Sequence, residues 1–393
     1  MGAIGQRSHL GIGKETTFGT AVAATDYLKF NSESIVLSAE ELVSAQLGRR
    51  DEPESYQGLK SVAGDSVHEV HPKALGHLLR SWFGAPVTTT LDTGIYLHVF
   101  TPATAAFSSK CEVPPYTLEV HRDLSSAFQI SGAVVNGLAF NFGTGAKILQ
   151  LTASWLAKDA ALITKTSPAM ETTDPFRWQQ AVIGIGTTDS GTATGTQSAT
   201  TLQDTGKTWV VNAHTGKYVY LTGGTGQGQI RVIASNTADT LTIATWGVTP
   251  VAASTTYEIF EFNKELDALT LNLTNGLVAK PILNGESVID RVVADGFRSG
   301  ALTPTFKLEN LDQYNNFVAF TQKKWRVSFI GDTISGNHKY TLDFEMPDVR
   351  LTGAPISIGG PAELMLAAAA KIKYDKTAGY MCKVRLVNNV ASY

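Results

Sequence analysis

The sequence predicts a mainly β protein in which one α-helix packs on a sheet. Two stretches, Gly137–Ala157 and Trp325–Met346, alternate apolar and polar residues on both sides of a turn, as hairpins with one buried and one wet face do. One stretch, His71–Gly84, carries the apolar stripe of an amphipathic helix. Beyond Gly184 the chain becomes rich in Gly, Thr, Ser and Ala, which indicates a small inserted β domain.

Composition limits the classes of function. The chain has 393 residues, a length that suits two domains. Its net charge is −3 at pH 7, whereas a protein that binds free nucleic acid usually carries a basic patch. Only 17% of the residues are charged, which suits extensive contact between copies of the chain. We expect synthesis in a cytoplasm and no membrane binding, because neither a secretory signal nor a membrane span of roughly 18 apolar residues is present.

Residues 1–60 are expected to form an extended arm with a few edge strands. They mix glycine, charge and short apolar pieces, and the charged, proline-containing cluster at 48–54 indicates a loop. An arm that cannot bury its own apolar groups usually packs on a neighbouring molecule. A partly disordered leader is the alternative.

The helix prediction covers residues 71–84. Pro72 stands in the first turn, where a helix has no use for the N–H that proline lacks, and Gly84 suits the position after the helix end. We expect the apolar stripe to lie on the apolar face of the sheet. That stripe is Leu75, Leu78, Leu79, Trp82 and Phe83.

Both hairpins should present one apolar and one polar face. Gly143-Thr144-Gly145 suits the turn of the first, because glycine adopts the positive φ of tight turns. Residues 264–275 form a further strand of the same kind. The apolar positions are Leu138, Phe140, Phe142, Leu149, Leu151, Ala153, Trp155, Leu269, Leu271 and Leu273.

The remaining elements divide the chain into three parts. The predicted limits are 1–183 for the first part of the main domain, 184–259 for the inserted all-β domain and 260–393 for the second part. Alternation at Val182-Ile183 resumes at Tyr257–Ile259, which suggests an insertion within a hairpin. Other predicted elements are helices at Leu311–Phe320 and, from propensity, Glu363–Lys373, and a strand at Cys382–Val387.

The sequence contains no complete catalytic motif, so we predict that the protein is not an enzyme and binds no cofactor or metal. Gly11-Ile12-Gly13-Lys14 matches only part of a phosphate-binding loop. The histidines at 68, 71 and 77 lack the spacing of a helical zinc site and should be structural or exposed. Cys111 and Cys382 should be buried thiols, with a disulfide as the open alternative.

Several short pieces of the chain, in this order, resemble the tail tube (major tail) proteins of long, non-contractile-tailed bacteriophages. The pieces are Gly11–Val22, Leu28–Phe30, Ser32–Ile35, the helix around Leu75–Phe83, Gly379-Tyr380, Lys383–Leu386 and Asn389–Tyr393. The resemblance covers both ends and the strands between them. The Gly/Thr-rich stretch departs from this pattern and resembles a module that recurs as an insertion in phage structural proteins.

The resemblance implies a tail-tube-type β-sandwich or partial barrel with one packed helix, in a structural protein of the virion tail. Six copies would close a ring, and stacked rings would form a hollow tube through which DNA leaves the capsid. The implied partners are further copies of the chain, other tail proteins at the tube ends (tape measure, terminator and tip) and DNA in transient, non-specific passage. Near Leu366 the resemblance implies a strand rather than a helix.

We expect the polar faces of the strands to line a watery channel. Small neutral groups would let DNA slide, whereas Lys and Arg would hold its phosphates. Lys324 and Arg326 share the polar face of the second hairpin, where Asp343 and Glu345 could pair with them across the strands. The seven candidate channel-lining residues are Asn141, Gln150, Thr152, Ser154, Thr270, Asn272 and Thr274.

Two other functions stay open. The inserted domain could bind host glycans or envelope components, which would make the chain an adhesin or decoration protein. An aromatic platform near Trp209, Tyr218, Tyr220 and Trp246 would favour that function, although four aromatic residues in a small β domain are more often core. A capsid or connector protein is the third possibility.

Overall fold

The computed structural model describes residues 2–45, 47–48, 50–52, 54–144, 147–358 and 360–393. Gly145 of the predicted first turn, and Arg49 and Pro53 of the predicted charged loop, lie outside the described residues.

The described chain is mainly β, as predicted. The strands before residue 165 are β1 (His9–Lys14), β2 (Asp26–Leu28), β3 (Ser32–Glu33), β4 (Val36–Val43), β5 (Ser55–Glu69), β6 (Val87–Asp92), β7 (Ile95–Phe100), β8 (Tyr116–His121), β9 (Ser126–Gly143), β10 (Gln150–Ala157) and β11 (Asp159–Thr164). The middle strands are β12 (Ala181–Ile185), β13 (Asp189–Thr192), β14 (Thr201–Gln203), β15 (Tyr218–Gly223), β16 (Ile230–Asn236), β17 (Thr240–Ile243) and β18 (Thr256–Phe260).

The last strands are β19 (Leu266–Thr274), β20 (Leu277–Lys280), β21 (Arg291–Ala294), β22 (Ser299–Lys307), β23 (Lys323–Ser335), β24 (His338–Gly353), β25 (Met365–Ala367), β26 (Ala369–Lys373) and β27 (Lys383–Asn388). The helices are α1 (Leu75–Phe83) and α2 (Asp312–Val318), with 3₁₀ turns at Gly5–Arg7 and Trp178–Gln180.

Strand β9 joins the two parts of a 19-stranded sheet. Its first half pairs with β8 and β11, and its second half pairs with β10 and β19. The change of partners follows Gly132, whose φ is +65°. A Cβ atom there would lie 2.9 Å from the ring of Phe18, so this position favours glycine on both conformational and steric grounds.

From β9 the main sheet extends in both directions. One side runs β9–β10–β5–β4, and the other runs β9–β19–β22–β26–β24–β23–β12. A branch, β27–β7–β6, leaves from β24. The two predicted hairpins are β9–β10 and β23–β24, and the strands and short helix predicted at 264–275, 311–320 and 382–387 are present as β19, α2 and β27.

Helix α1 lies inside the main core. It begins at Leu75 rather than at 71, because Pro72 and its neighbours form a turn before it. All five residues of the predicted stripe are buried in one cluster with Leu151 and Trp155 of β10. The Ser81 hydroxyl accepts a hydrogen bond from the Val135 backbone N–H at 3.0 Å, which ties α1 to β9.

The helix predicted from composition over Glu363–Lys373 is wrong. The segment forms β25 and β26, which pair with β22 and β24. Leu366, Ala368, Ala370 and Ile372 are buried and alternate with exposed residues. Burial of one face at period two therefore overrides a high helix propensity, and the strand that the resemblance implied near Leu366 is the one observed.

Residues 1–60 differ in part from the expected arm. Strand β1 pairs with β2 and β8, and Leu10, Ile12 and Leu28 belong to the main core. Their partner β8 is remote in sequence, so local pattern could not reveal this burial. Within the described residues, the outer part of the β4–β5 hairpin projects from the body, because every residue of β4 and residues 55–57 of β5 are exposed.

A separate six-stranded sheet lies between β12 and β19 in the chain, in the order β13–β18–β15–β16–β17–β14. It has its own core, which includes Leu202, Val219 and Ile233. The chain leaves the main sheet after β12 and returns at Phe262, which bridges to Gly184. Tyr257–Ile259, where the alternation resumes, pair with β13 and β15 of this smaller sheet. The domain limits themselves stay a prediction.

Candidate functional surfaces

The seven residues expected to line a channel lie together on one face of β10, β9 and β19. Across the three strands they form rows, because the register places their polar positions opposite one another. The rows are Gln150–Asn141–Thr270, Thr152–Ala139–Asn272 and Ser154–Gly137–Thr274. We call this surface the polar face. It carries no formal charge.

The polar face is open to solvent in the single chain. Asn141, Gln150, Asn272 and Thr274 are exposed, and the other three residues are half-buried. The Thr270 hydroxyl donates a hydrogen bond to the Asn141 side-chain oxygen at 3.1 Å. The opposite sides of the same strands carry the leucines and Phe140, which are buried in the main core. These three strands thus have one buried apolar side and one solvent-exposed polar side, as the alternation predicts.

Charged residues border the polar face on both sides. On β5, Glu69 lies opposite Gln150 and Asp65 lies opposite Ser154. On the other side β22 continues the neutral surface, and beyond it Lys371 of β26 lies opposite Ala301. A neutral strip four strands wide is therefore flanked by carboxylates at one edge and by a lysine at the other.

The polar face of the second hairpin has a different environment. Lys324 and Arg326 do pair with the carboxylates across the strands: Arg326 Nη1 lies 2.7 Å from Asp343 Oδ2, and Lys324 Nζ lies 2.6 Å from Glu345 Oε1. The smaller sheet covers these groups, and its Glu258 reaches Arg326 at 3.0 Å. This part of β23–β24 therefore faces another layer of protein rather than solvent.

Tyr220 of β15 enters the same cluster. Its ring centroid lies 3.8 Å from the guanidinium carbon of Arg326 and 5.3 Å from that of Arg385, within cation–π range. Burial alone would lower the pKa of Arg326, but the carboxylates of Asp343 and Glu345 outweigh burial and raise that pKa well above its usual value. Burial raises the pKa of Glu345, but the neighbouring cations outweigh it and hold that pKa well below its ordinary range. Arg326 and Glu345 therefore stay charged at neutral pH.

The aromatic residues considered as a binding platform do not form one. Tyr220 and Trp246 are buried, and Tyr218 stacks on Phe260. Trp209 is half-buried and donates its indole N–H to Asp189 at 2.6 Å. The aromatic side chains of the smaller sheet mainly fill its core and its contact with the main sheet.

The polar motifs noted in the sequence have structural places. The histidines at 68, 71 and 77 are buried, and both cysteines are free and buried. Gly11 and Gly13 lie in β1, where a Cβ on Gly13 would meet the Ala23 carbonyl oxygen at 2.4 Å, so these glycines serve close chain packing. The described residues contain no group of three or more His, Cys, Asp or Glu side chains placed to hold a metal ion. No helix in the described part of the chain has the length and apolar character that a membrane crossing needs.

Sequence reasoning missed the apolar surface of the projecting β4–β5 hairpin. Val36, Leu37, Leu42, Val43 and Tyr56 are exposed, although such residues are normally favoured inside. The available signal was the occurrence of adjacent apolar pairs, Val36-Leu37 and Leu42-Val43, which an alternating strand with one buried face does not have. An exposed strand of this kind is a hazard for an isolated molecule and is suited to pairing with another.

Comparison with known proteins identifies a family. A family described as phage tail tube protein matches residues 5–202, which includes β9, β10, α1 and the projecting hairpin. No curated protein matches the chain. Half of the sequence thus fits one family of structural virion proteins, and the chain belongs to the phage tail tube protein family.

Proposed function

We propose that this protein polymerises as stacked rings, each of six copies, into a tail tube whose channel carries DNA into the host during ejection. The observation that carries the proposal is the polar face: three adjacent strands place seven small, uncharged polar side chains on one solvent-facing surface. Such a surface hydrates well and offers no fixed cation to a phosphate, so DNA can slide along it.

The polar face has an orientation that suits a ring. Its strands bury their other side in the core with α1, so the wet side is free to face a channel while the rest of the protomer forms the wall. The smaller sheet covers the charged face of β23–β24 and would thereby keep Arg326 and Lys324 away from DNA. The tube ends would bind the tape measure, terminator and tip proteins after synthesis in the host cytoplasm.

Electron microscopy of the purified protein tests the proposal. We expect stacked six-fold rings with a central channel, and a map in which the polar face lines that channel. A map with the seven side chains turned away from the channel would refute the lining, and protein that stays monomeric at high concentration would refute the polymer.

The lining also has a functional test in the virion. Replacing Thr152 and Asn272 with lysine places cations beside passing phosphates, and we expect normal tubes with slower or incomplete DNA ejection. The matched control is Thr152→Ser with Asn272→Ser, which keeps the surface neutral. Equal ejection from both variants would contradict a role of this face in the channel.

A further inference from the structure

The β4–β5 hairpin is acidic as well as exposed. Residues 32–69 contain eight acidic and three basic side chains, so the segment carries −5 and the rest of the chain +2. Glu40 and Glu41 lie on β4, where every residue is exposed. Within the described residues β4 pairs only with β5, which leaves its outer edge open.

A groove with opposite character lies beside β26. It has a volume of about 940 Å³, and we call it the lysine groove. Phe297 is 97% exposed and Tyr374 is 64% exposed at its rim, and the exposed side chains of Lys371 and Lys373 also line it. Neither lysine has an ion-pair partner in the described part of the chain.

The hairpin does not occupy the groove of its own copy. None of the groove-lining residues comes from residues 32–69, and β10, β9, β19 and β22 separate β5 from β26 in the sheet. At a strand spacing of roughly 4.8 Å, those five steps correspond to about 24 Å along the sheet. The two features therefore border the polar face on opposite sides.

Their chemistry is complementary. The hairpin offers carboxylates with leucine, valine and tyrosine side chains, and the lysine groove offers unpaired ammonium groups with two exposed aromatic rings. Opposite charges at the edges of an interface orient the partners and reject wrong ones, while apolar contacts supply affinity. Because the two surfaces differ, contact between copies is head to tail, and such contacts close into rings when the rotation allows.

We propose that the β4–β5 hairpin of one copy seats in the lysine groove of the next copy around the ring, with Glu40 and Glu41 facing Lys371 and Lys373. This inference rests on the proposed function, since it names the contact that would build the ring. It places the polar faces of neighbouring copies side by side, with the charged edges of each face neutralised at the junction.

Charge reversal tests the contact. One variant carries Lys371→Glu and Lys373→Glu, a second carries Glu40→Lys and Glu41→Lys, and a third combines all four changes. All four side chains are exposed, so we expect native circular dichroism and melting temperature. In each two-site variant the amount of assembled protein should fall by at least about tenfold, because like charges then face each other across the contact. The four-site variant should recover assembly, as measured by sedimentation and negative-stain microscopy.

A matched control carries the same charge change elsewhere, with Lys165→Glu and Lys339→Glu, both exposed, and should assemble as the wild type does. An equal loss of assembly in this control would overturn the pairing. Failure of the four-site variant to recover assembly would also overturn it, and would indicate that the groove holds another occupant, such as a different tail protein. If the wild-type protein forms rings and all the charge-reversal variants form them equally well, this inference alone is overturned. Wild-type protein that never assembles would overturn the proposed function and this inference together.

Discussion

Tyr220 connects the smaller sheet to the main sheet through its ring rather than its hydroxyl. The ring lies against Arg326 and near Arg385, whereas the hydroxyl has no hydrogen-bond partner among the described residues. A buried polar atom without a partner normally costs stability. The hydroxyl is therefore expected to contribute little, and the aromatic ring to contribute most of the contact.

Two substitutions at Tyr220 separate these contributions. Tyr220→Ala should lower the free energy of unfolding by about 3–5 kcal/mol, because a large aromatic side chain leaves a cavity beside two arginines. Tyr220→Phe keeps the ring and should be neutral or slightly stabilising. Urea unfolding followed by tryptophan fluorescence measures both, and equal losses in the two variants would show that the hydroxyl is bonded in solution.

His68 is a second residue with a testable role, in acid stability. Its ring nitrogens lie 2.8 Å from the Lys29 carbonyl oxygen and 2.7 Å from the Ser66 hydroxyl. Burial lowers the pKa of His68 to about 4. The hydrogen bond to the Lys29 carbonyl opposes this shift, and the nearby His71 adds to it. The unfolded chain takes up this proton near pH 6.5, so His68 stabilises the fold above pH 6.5 and that contribution falls away between pH 6.5 and 4.

We expect the free energy of unfolding to decrease by about 3 kcal/mol from this group over that range. His68→Gln removes the titrating ring, so the free energy of unfolding of this variant should fall less steeply between pH 6.5 and 4 than that of the wild type. Denaturant unfolding at a series of pH values gives the two slopes. Parallel slopes would mean that other groups cause the acid loss.

At the scale of elements, sequence periodicity predicted the strands and helices that have a regular buried face. It missed the burial that depends on pairing with strands distant in sequence. The alternation in β9, β10 and β19 and the stripe of α1 were readable, because each element buries one regular face. The helix expected over Glu363–Lys373 failed, because alanine and leucine suit a helix until β22 and β24 supply a ladder on both sides. The polar face could be recognised for the same reason as its strands. The lysine groove combines segments that are distant in sequence, so it left no local pattern.

The N-terminal region illustrates this difference, because its first strands are in the core while the β4–β5 hairpin is exposed. Removing residues 1–60 would take Leu10, Ile12 and Leu28 from the main core, so we expect that deletion to give a poorly folded protein. Replacing only residues 41–57 with Asn-Gly, a sequence that favours a tight hairpin turn, leaves those core residues in place. This shorter variant should fold and fail to polymerise.

Size-exclusion chromatography and circular dichroism compare the two deletions. Tubes formed by the shortened hairpin would show that the hairpin is dispensable for assembly. A monomeric, folded product from the 1–60 deletion would show that β1 and β2 contribute less to the core than their burial indicates.

At the scale of the whole molecule, the contact between the two sheets combines charge with a small apolar area. Val182, Tyr220, Ile230 and Phe260 form an apolar part. The charged part includes the ion pair of Glu258 with Arg326 and the contacts of the Tyr220 ring with Arg326 and Arg385. Buried ion pairs contribute little net stability, since desolvation offsets their attraction. We therefore expect the main sheet to fold without the smaller sheet, with the charged side chains beneath it hydrated by solvent.

Deleting the smaller sheet tests whether it is a separable module. Residues 187–260 can be replaced by a short Gly-Ser linker, because Gly184 and Phe262 already form a bridge at the base of the insertion. We expect a soluble protomer that still assembles into tubes, with a thinner outer wall in electron micrographs. The complementary fragment, residues 184–262, should fold alone around Leu202, Val219 and Ile233. Aggregation of the deleted chain together with an unfolded fragment would show that the two sheets share one core.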